Sequence, residues 1–251
     1  RLPVHLKIDT GMGRIGFDAE HTLEDIWKAT QLSNLQVEGI MSHFATADED
    51  DIHYAIGQHD RFKRVLKYLK ERNVDIPIKH IANSGGFMNI AHCDYDMVRP
   101  GIMVYGSLPD PTTPATVPLL PGLEWTTRVT FTKPVAAGES VGYGRTWVAP
   151  LDTTIATIPV GYGDGYSRLL SNRGRVLIGG AAYPIVGRVC MDQTMVDLGP
   201  DSTVATGDEV ALVGRQGDEE ITVQDVADLM GTIPYEVTCL INARVARAVV
   251  G

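Results

Sequence analysis

HLKIDTGMGRIGF, residues 5–17, joins a short apolar alternation to a glycine-rich turn that carries Arg14. The alternation of apolar and polar side chains predicts a β-strand over residues 4–9. Apolar residues at helical spacing follow around positions 23–27 and predict a helix. A strand, a turn and a helix in this order form the repeating unit of α/β proteins.

Strand-like and helix-like residue patterns continue to alternate up to about residue 106. Three more strands are predicted from VEGIMSHF (37–44), KHIANS (79–84) and DMVRPGIMVYG (96–106), with a helical stripe at 62–69. Polar clusters stand at the carboxyl end of each strand, where parallel α/β barrels carry their chemistry. A full barrel needs about 250 residues, so these four units predict half of a TIM-like barrel.

A proline-rich connector, PDPTTPATVPLLPG (109–122), separates this region from a second one of different character. Short β-type runs broken by Gly, Pro and Asp turns fill the rest, and one helix, TVQDVADLMG (222–231), interrupts them. We therefore predict two domains: the C-terminal half of an α/β barrel with the connector (1–120) and a mostly β domain (121–251).

Composition restricts the partners and the compartment. The 251 residues carry a net charge of −9, which argues against a nucleic-acid or anionic-membrane partner. Three separated cysteines without a CxxC pair predict neither disulfides nor a zinc cluster, and favour the cytoplasm. The acidic residues at 48–51 are typical of a solvated helix start, so we expect no metal site. No apolar run has the length of a membrane span.

Spacing alone leaves the polar motifs open to two interpretations. Lys7 and Arg14 form either an anion-binding rim or a charged surface loop, and His43 is either a catalyst or a packing residue. Ser84 before a Gly-Gly pair fits a phosphate site or a helix cap. Tyr143 lies between two glycines and would need nearby cations to act as a base.

Eight ordered stretches together resemble bacterial alanine racemases, and they extend over nearly the whole chain. They are HLKIDTGMGRIGF, MSHFATADE, HIANSGG, MVRPGIMVYG, ESVGYGRTW, IPVGYGDGYSR, PIVGRVCMDQ and IPYEVTC. The resemblance implies a pyridoxal-phosphate enzyme that interconverts L- and D-alanine with two bases and supplies D-alanine for peptidoglycan. It also implies a homodimer in which the β domain completes the partner subunit's active site.

The resemblance assigns the catalytic roles residue by residue. Tyr143 matches one base, and His43 matches the histidine that hydrogen-bonds it. Arg14 matches the arginine that positions the substrate carboxylate and the tyrosine oxygen. Lys7 matches a lysine that is often carbamylated, whose added negative charge would hold Arg14 in place.

Cofactor and substrate contacts are assigned in the same way. Arg99 matches the arginine that faces the pyridine nitrogen, where it makes the ring a weaker electron sink. The matches to phosphate ligands and their neighbour are Asn83, Ser84, Gly101, Ile102 and Tyr235. The matches to substrate-binding and corridor residues are Met191, Tyr162 and Asp192.

One expected element has no match. The family's cofactor lysine lies in a KANAYGHG-like segment, and none of Lys63, Lys67, Lys70, Lys79 and Lys133 has a comparable setting. We therefore expect the sequence to be the C-terminal two-thirds of a racemase. The sequence would begin at the fifth strand of the barrel, and the cofactor lysine would lie outside it.

Three alternatives remain. A serine racemase of the same family is disfavoured by Tyr235, because a smaller residue there would make room for a hydroxymethyl group. A decarboxylase of similar architecture is disfavoured by Arg99, since those enzymes place a carboxylate at the pyridine nitrogen. A noncatalytic fragment is the third alternative, and it gains weight if the chain is complete as written.

Overall fold

A computed structural model describes residues 1–250 of the chain. It divides into two compact units, one of residues 1–120 and one from residue 121 onward. Each unit has a hydrophobic core of its own.

The first unit is a parallel sheet with helices between its strands. Its sheet has the order β2-β1-β3-β4, and every neighbouring pair is parallel. The strands are β1 (Leu2–Asp9), β2 (Phe17–Asp18), β3 (Leu35–Met41) and β4 (Ile78–His80), and the helices are α1 (Leu23–Thr30), α2 (His53–Lys70) and α3 (Ser84–Asn89). This arrangement is the predicted succession of β-α units.

The two faces of this sheet differ in character. Leu6, Ile8 and Ile40 are buried in one core with Phe62 and Val65 of α2. Because side chains alternate along a strand, the residues between them point to the opposite face. That face carries the polar side chains described below.

The strand predicted over residues 96–106 was wrong. Asp96 and Arg99 donate backbone hydrogen bonds to Lys79 and Ala82, at 3.1 and 3.0 Å, so the segment runs beside β4 without forming a continuous ladder. Pro100 has no N–H to continue the pairing, and a 3₁₀ helix at Ile102–Tyr105 follows.

The second unit is mostly antiparallel β-structure. One sheet has the order β11-β10-β13-β14 with β5 also paired to β13, another has the order β12-β9-β6, and β7 pairs with β8. Its strands are β5 (Trp125–Arg128), β6 (Phe131–Val135), β7 (Ser140–Val141), β8 (Trp147–Val148), β9 (Thr153–Ile158), β10 (Arg175–Ile178), β11 (Ala181–Pro184), β12 (Thr194–Asp197), β13 (Glu209–Gln216) and β14 (Glu219–Ile221).

Two helices close the second unit, α4 (Val223–Met230) and α5 (Pro234–Leu240). The helix predicted from its capping pattern is confirmed as α4. Thr222 and Asp225 form a reciprocal capping box, and Gly231 ends the helix in a left-handed conformation. Helix α5, a seven-residue helix with Pro234 in its first turn, was not predicted from the sequence. Among residues 1–250, no helix is both long and apolar enough to cross a membrane.

Candidate functional site

The polar face of the first unit's sheet collects charged and imidazole side chains. His5 and Lys7 lie on β1, His80 ends β4, and His43 lies just beyond the end of β3. Arg99 comes from the segment beside β4 and contacts both His43 and His80. The predicted residues Lys7, His43 and Arg99 are therefore brought to the same face, together with two histidines that the sequence analysis did not single out.

Arg99 is fixed by several acceptors. One terminal nitrogen lies 2.9 Å from the Ser42 carbonyl oxygen and 3.1 Å from Nδ1 of His43. The other lies 2.5 Å from Nδ1 of His80. Burial lowers the pKa of Arg99 from its usual value, but a guanidinium keeps its charge at neutral pH. Arg99 is thus a fixed cation whose neighbours are uncharged or cationic.

His43 is neutral at physiological pH. Burial lowers its pKa to about 4, and the positive charges of Arg99, Arg14 and Lys7 act in the same direction. The contribution of Arg14 shows that its charge lies within reach of this site, although the side chain itself is exposed. His43 can therefore offer an uncharged ring N–H to a ligand.

Lys7 is a half-buried lysine on the polar face. Its Nζ atom donates to the Ile8 carbonyl oxygen at 2.7 Å. Burial lowers the pKa of the half-buried amine, Asp9 opposes this effect, and Arg14 and Arg99 reinforce it. The uncharged fraction of Lys7 is therefore larger than that of a surface lysine.

The glycine-rich turn that carries Arg14 is held from two sides. Asp9 accepts hydrogen bonds from the amides of Gly11 and Gly13 at 2.8 and 3.1 Å. Tyr54 of α2 donates to the Gly11 carbonyl oxygen at 2.8 Å. A Cβ atom at Gly16 would lie 2.7 Å from the Lys7 carbonyl oxygen, so this turn needs glycine to pack on β1.

The start of α3 combines a cap with free donors. The Asn83 side chain accepts from the amide of Gly86 at 2.9 Å, which makes Asn83 the helix cap. Ser84 Oγ accepts from the amide of Gly101 at 2.9 Å, so its own hydroxyl hydrogen remains free to donate. The first amides of a helix have no partner within it. Together with Ile102 beside Gly101, these groups form a neutral set of donors suited to a phosphate.

In the second unit, the side chain of Tyr143 is exposed rather than packed in the core. Its side chain is 70% exposed and lies between two glycines with positive φ, Gly142 (76°) and Gly144 (74°). A Cβ atom at Gly144 would meet the Arg188 guanidinium at 3.0 Å, so a cation lies beside this turn. Tyr143 and Cys190 line one cavity of about 560 Å³.

Two loops bring three further predicted residues together. The amides of Tyr162 and Gly163 donate to the carbonyl oxygens of Cys190 and Met191 at 3.0 and 2.8 Å. The segment 190–193 is therefore a loop backed by the turn that begins at Gly161. In the part of the chain that the structure describes, the amide of Met191 has no acceptor, so it is available to a ligand.

Arg244 joins these two loops. Its guanidinium donates to Asp164 at 2.7 Å and to Asp192 at 2.6 Å, and the two carboxylates raise its pKa. Tyr235 lies on α5 and is 37% exposed.

None of the lysines set aside above belongs to the polar face of the first unit's sheet. Lys63, Lys67 and Lys70 are on α2 and Lys133 is on β6, in the second unit. Lys79 contacts the Ile76 carbonyl oxygen and Asp75. Because side chains alternate along β4, Lys79 points to the face opposite that of its neighbour His80. Residues 1–250 also contain no group of three or more His, Cys, Asp and Glu placed to hold a metal ion.

Spacing could have revealed some of the missed residues. His5 is two positions before Lys7 on a strand, so it belongs to the same face. His80 is three residues before the Asn83 cap, at the carboxyl end of its strand. Arg188 and Arg244 have no such signal, because each meets its neighbours only in the folded unit.

Two family models match the chain. Residues 1–109 match "Alanine racemase, N-terminal domain", and residues 122–249 match "Alanine racemase, C-terminal domain". The chain belongs to the alanine racemase family. The resemblance read from the eight stretches is confirmed, and the family depends on pyridoxal phosphate.

Individual members of the alanine racemase family support the same assignment. The chain is 47% identical to an alanine racemase of Halothermothrix orenii over 97% of its length and 64% of the relative's. A solved alanine racemase of Streptomyces lavendulae superposes with a TM-score of 0.92 at 37% identity, covering 99% of this chain and 66% of that one. A histidine racemase of Leuconostoc mesenteroides superposes with a TM-score of 0.87 at 33% identity, covering 100% of this chain and 67% of that one.

The superpositions confirm the predicted fold class, a barrel-like first domain followed by a β-rich second domain. The chain spans about 64% of the length of the Halothermothrix alanine racemase.

Proposed function

We propose that the chain is part of a pyridoxal-phosphate-dependent alanine racemase that interconverts L- and D-alanine. Likeness to alanine racemases across both units carries the proposal. We further propose a cytoplasmic homodimer with its active sites at the subunit interface, whose product D-alanine serves peptidoglycan synthesis.

The donors of the first unit fit the cofactor. Ser84, its neighbouring amides and the amide of Ile102 would hold the phosphate, with the Gly101 amide fixing the Ser84 hydroxyl, Asn83 shaping the turn and Tyr235 of the second unit as a further ligand. Arg99 would face the pyridine nitrogen as a hydrogen-bond donor. When bound, pyridoxal phosphate supplies the electron sink that makes the α-proton of an amino acid acidic. Because Arg99 cannot give up its proton, it would keep that sink weak and suppress side reactions.

Proton transfer needs one base on each face of the substrate. We assign one face to Tyr143 of the partner subunit, and the other to a lysine outside these 251 residues. His43 would donate its ring N–H to the tyrosine oxygen, and Arg14 would add a positive charge there. Both contacts favour the phenolate and would bring the tyrosine closer to the working pH.

Substrate recognition is assigned to both units. Arg14 and the free amide of Met191 would bind the substrate carboxylate. Tyr162 and Asp192 would form the corridor through which the amino acid enters. Alanine is the proposed substrate because the curated relatives are alanine racemases, while the histidine racemase among the structural neighbours makes a substrate panel necessary.

Lys7 is proposed as a carbamate. Its uncharged amine would attack CO₂, form an N–C bond and lose one proton, leaving a carboxylate on nitrogen. The lowered pKa of Lys7 supports this step, because only the neutral amine is nucleophilic. The new negative charge would pair with Arg14 and fix it for substrate binding.

The decisive experiment follows α-proton exchange from L- and D-alanine in D₂O, with the full-length gene product. Tyr143→Phe is expected to slow exchange from one enantiomer by about 10²–10⁴-fold, the usual contribution of a general base, and from the other much less. Tyr183→Phe, in the same unit, is the matched control and should leave both rates unchanged. Small and equal effects of Tyr143→Phe on both enantiomers would contradict the role of the tyrosine.

Measurements on the same preparation distinguish the alternative functions. Activity on serine or histidine that exceeds activity on alanine would reject the substrate assignment. A borohydride-sensitive absorbance band would show lysine-bound cofactor. Its absence after addition of pyridoxal phosphate, with no exchange from any amino acid, would instead favour a noncatalytic protein.

A further inference from the structure

Two histidines on the polar face have no role in the proposed reaction. Nε2 of His80 lies 2.7 Å from Nδ1 of His5, and Nδ1 of His80 lies 2.5 Å from Arg99. Arg99 also lies 3.1 Å from Nδ1 of His43. The four side chains therefore form one continuous hydrogen-bonded chain, His5–His80–Arg99–His43.

Arg99 determines the direction of every hydrogen bond in this chain. A guanidinium has only donors, so Nδ1 of His80 and Nδ1 of His43 must both accept and cannot carry hydrogen. The hydrogen of neutral His80 is then on Nε2, which donates to Nδ1 of His5. His5 in turn carries its hydrogen on Nε2. The reverse arrangement, with His5 as the donor, would leave His80 without a hydrogen on either nitrogen.

The residue opposite His5 is a glycine, which leaves room for the His5 ring. Gly39 pairs with His5 across the β1–β3 ladder, and it does not have a positive φ. A Cβ atom at this position would overlap the His5 ring at Nδ1 and Cε1. Glycine is therefore required here for space, and the space that it leaves is filled by the imidazole that accepts from His80.

We propose that His5 is a positioning residue for Arg99: as the terminal acceptor it holds His80 in the Nε2–H form, which keeps Nδ1 of His80 as an acceptor for the arginine. Without His5, the ring of His80 loses the partner that selects its tautomer and orientation. Arg99 then has one fixed acceptor fewer. The effect on catalysis rests on the role proposed above for Arg99, whereas the tautomers do not.

The burial of His80 agrees with this arrangement. Its side chain is 2% exposed, and burial, followed by the charge of Arg99 and the nearby His5, lowers its pKa to about 4. Protonated His80 would place a second positive charge against Arg99 and could not accept from it. His80 is therefore neutral in this arrangement.

The test is a long-range ¹H–¹⁵N correlation spectrum of the full-length protein, labelled with ¹⁵N at its histidines, at pH 7. This spectrum distinguishes Nε2–H, Nδ1–H and doubly protonated rings. His5, His80 and His43 are expected as Nε2–H tautomers. A wild-type His80 that carries hydrogen on Nδ1 would overturn the proposal without any variant.

Variants test the influence of His5 on His80. His5→Leu removes the acceptor and should give His80 a mixture of tautomers. His5→Asn keeps an oxygen near the position of Nδ1 and should restore the single Nε2–H form. Gly39→Ala should displace the ring and resemble His5→Leu, while His53→Leu, an exposed position on α2, is the control that leaves His80 unchanged. An unaltered His80 spectrum in both His5→Leu and Gly39→Ala would refute the proposal.

Kinetics then separate this proposal from the proposed function. The loss of one neutral hydrogen bond predicts about a fivefold fall in kcat of His5→Leu, with KM for alanine unchanged and with rescue by His5→Asn. A wild-type protein that racemises no amino acid would reject the proposed function only. The spectra would still decide the tautomer of His80 and its dependence on His5.

Discussion

At the scale of single residues, Arg99 organises the polar face because it can only donate. Its position forces three histidines into one protonation pattern, and its charge contributes to the low pKa of His43 and His80. Neither effect depends on a ligand. The same constraint also makes the fold sensitive to acid.

The pKa of His80 predicts how stability depends on pH. The unfolded chain takes up a proton on this histidine near pH 6.5, whereas the folded protein resists protonation down to about pH 4. The free energy of unfolding should therefore be unaffected above pH 7 and should decrease as the pH falls from 6.5 to 4, by at most about 1.4 kcal/mol per pH unit for this group.

Urea unfolding of the wild type and of His80→Gln between pH 7.5 and 4.5 measures this contribution. The difference between the two proteins should change with pH, because the variant lacks the titrating ring. If the wild type and His80→Gln show parallel curves, His80 does not resist protonation in the folded state.

At the scale of secondary-structure elements, glycines in helices serve opposite purposes. A Cβ atom at Gly85 of α3 would lie 2.9 Å from the Asp48 amide nitrogen and 3.0 Å from the Ala47 carbonyl carbon. Both are backbone atoms that cannot move aside independently. On α2, a Cβ atom at Gly57 would meet only the flexible end of Arg61, at 3.8 Å.

Alanine at these two positions should therefore have effects of opposite sign. Gly85→Ala forces α3 away from the loop at 47–48 and should lower the free energy of unfolding by about 1–3 kcal/mol. Gly57→Ala should raise it by about 0.5–1 kcal/mol, because alanine has the higher helix propensity. Chemical denaturation of both variants provides the measurement. Equal effects would mean that α3 does not pack closely on this loop.

Secondary-structure elements whose own residues specify them were predictable from the sequence. Elements that depend on contacts with other parts of the chain were not. The capping residues at Thr222 and Gly231 specify α4 by themselves. The segment at 96–106 has the apolar pattern of a strand, but Pro100 interrupts the hydrogen bonding that a strand requires. The short α5 lacks an apolar stripe of sufficient length, and it buries only Pro234 and Val237.

At the scale of the whole molecule, the least predictable features are contacts between distant parts of the chain. The sequence predicted Lys7, His43 and Arg99 as site residues separately. Their convergence is explained by the parallel register of β1, β3 and β4, together with the segment of Arg99 that runs beside β4. The partners of Arg244 lie 80 and 52 residues away, so no local pattern could have indicated them.

We expect Arg244 to hold together the two loops of the proposed substrate corridor. Its planar guanidinium reaches Asp164 and Asp192 at once, and Asn242 accepts from its backbone amide at 2.9 Å. Arg244→Ala should increase the rate of amide hydrogen exchange at 161–165 and 190–192, with little change in the core strands. Arg244→Lys should restore only part of the protection, because an ammonium cannot reproduce the fork that joins two carboxylates.

Exchange mass spectrometry of the full-length protein resolves the two loops, and Arg215→Ala is the matched control. Arg215 also forms an exposed ion pair, with Glu220 at 3.5 Å, but within a single hairpin. Its removal should leave both loops protected. Equal exchange in Arg244→Ala and the wild type would mean that backbone hydrogen bonds from Tyr162 and Gly163 hold the loops without the arginine. Because the proposed racemase would bind the substrate carboxylate with the free amide of Met191 in one of these loops, faster exchange should be accompanied by a higher KM for alanine.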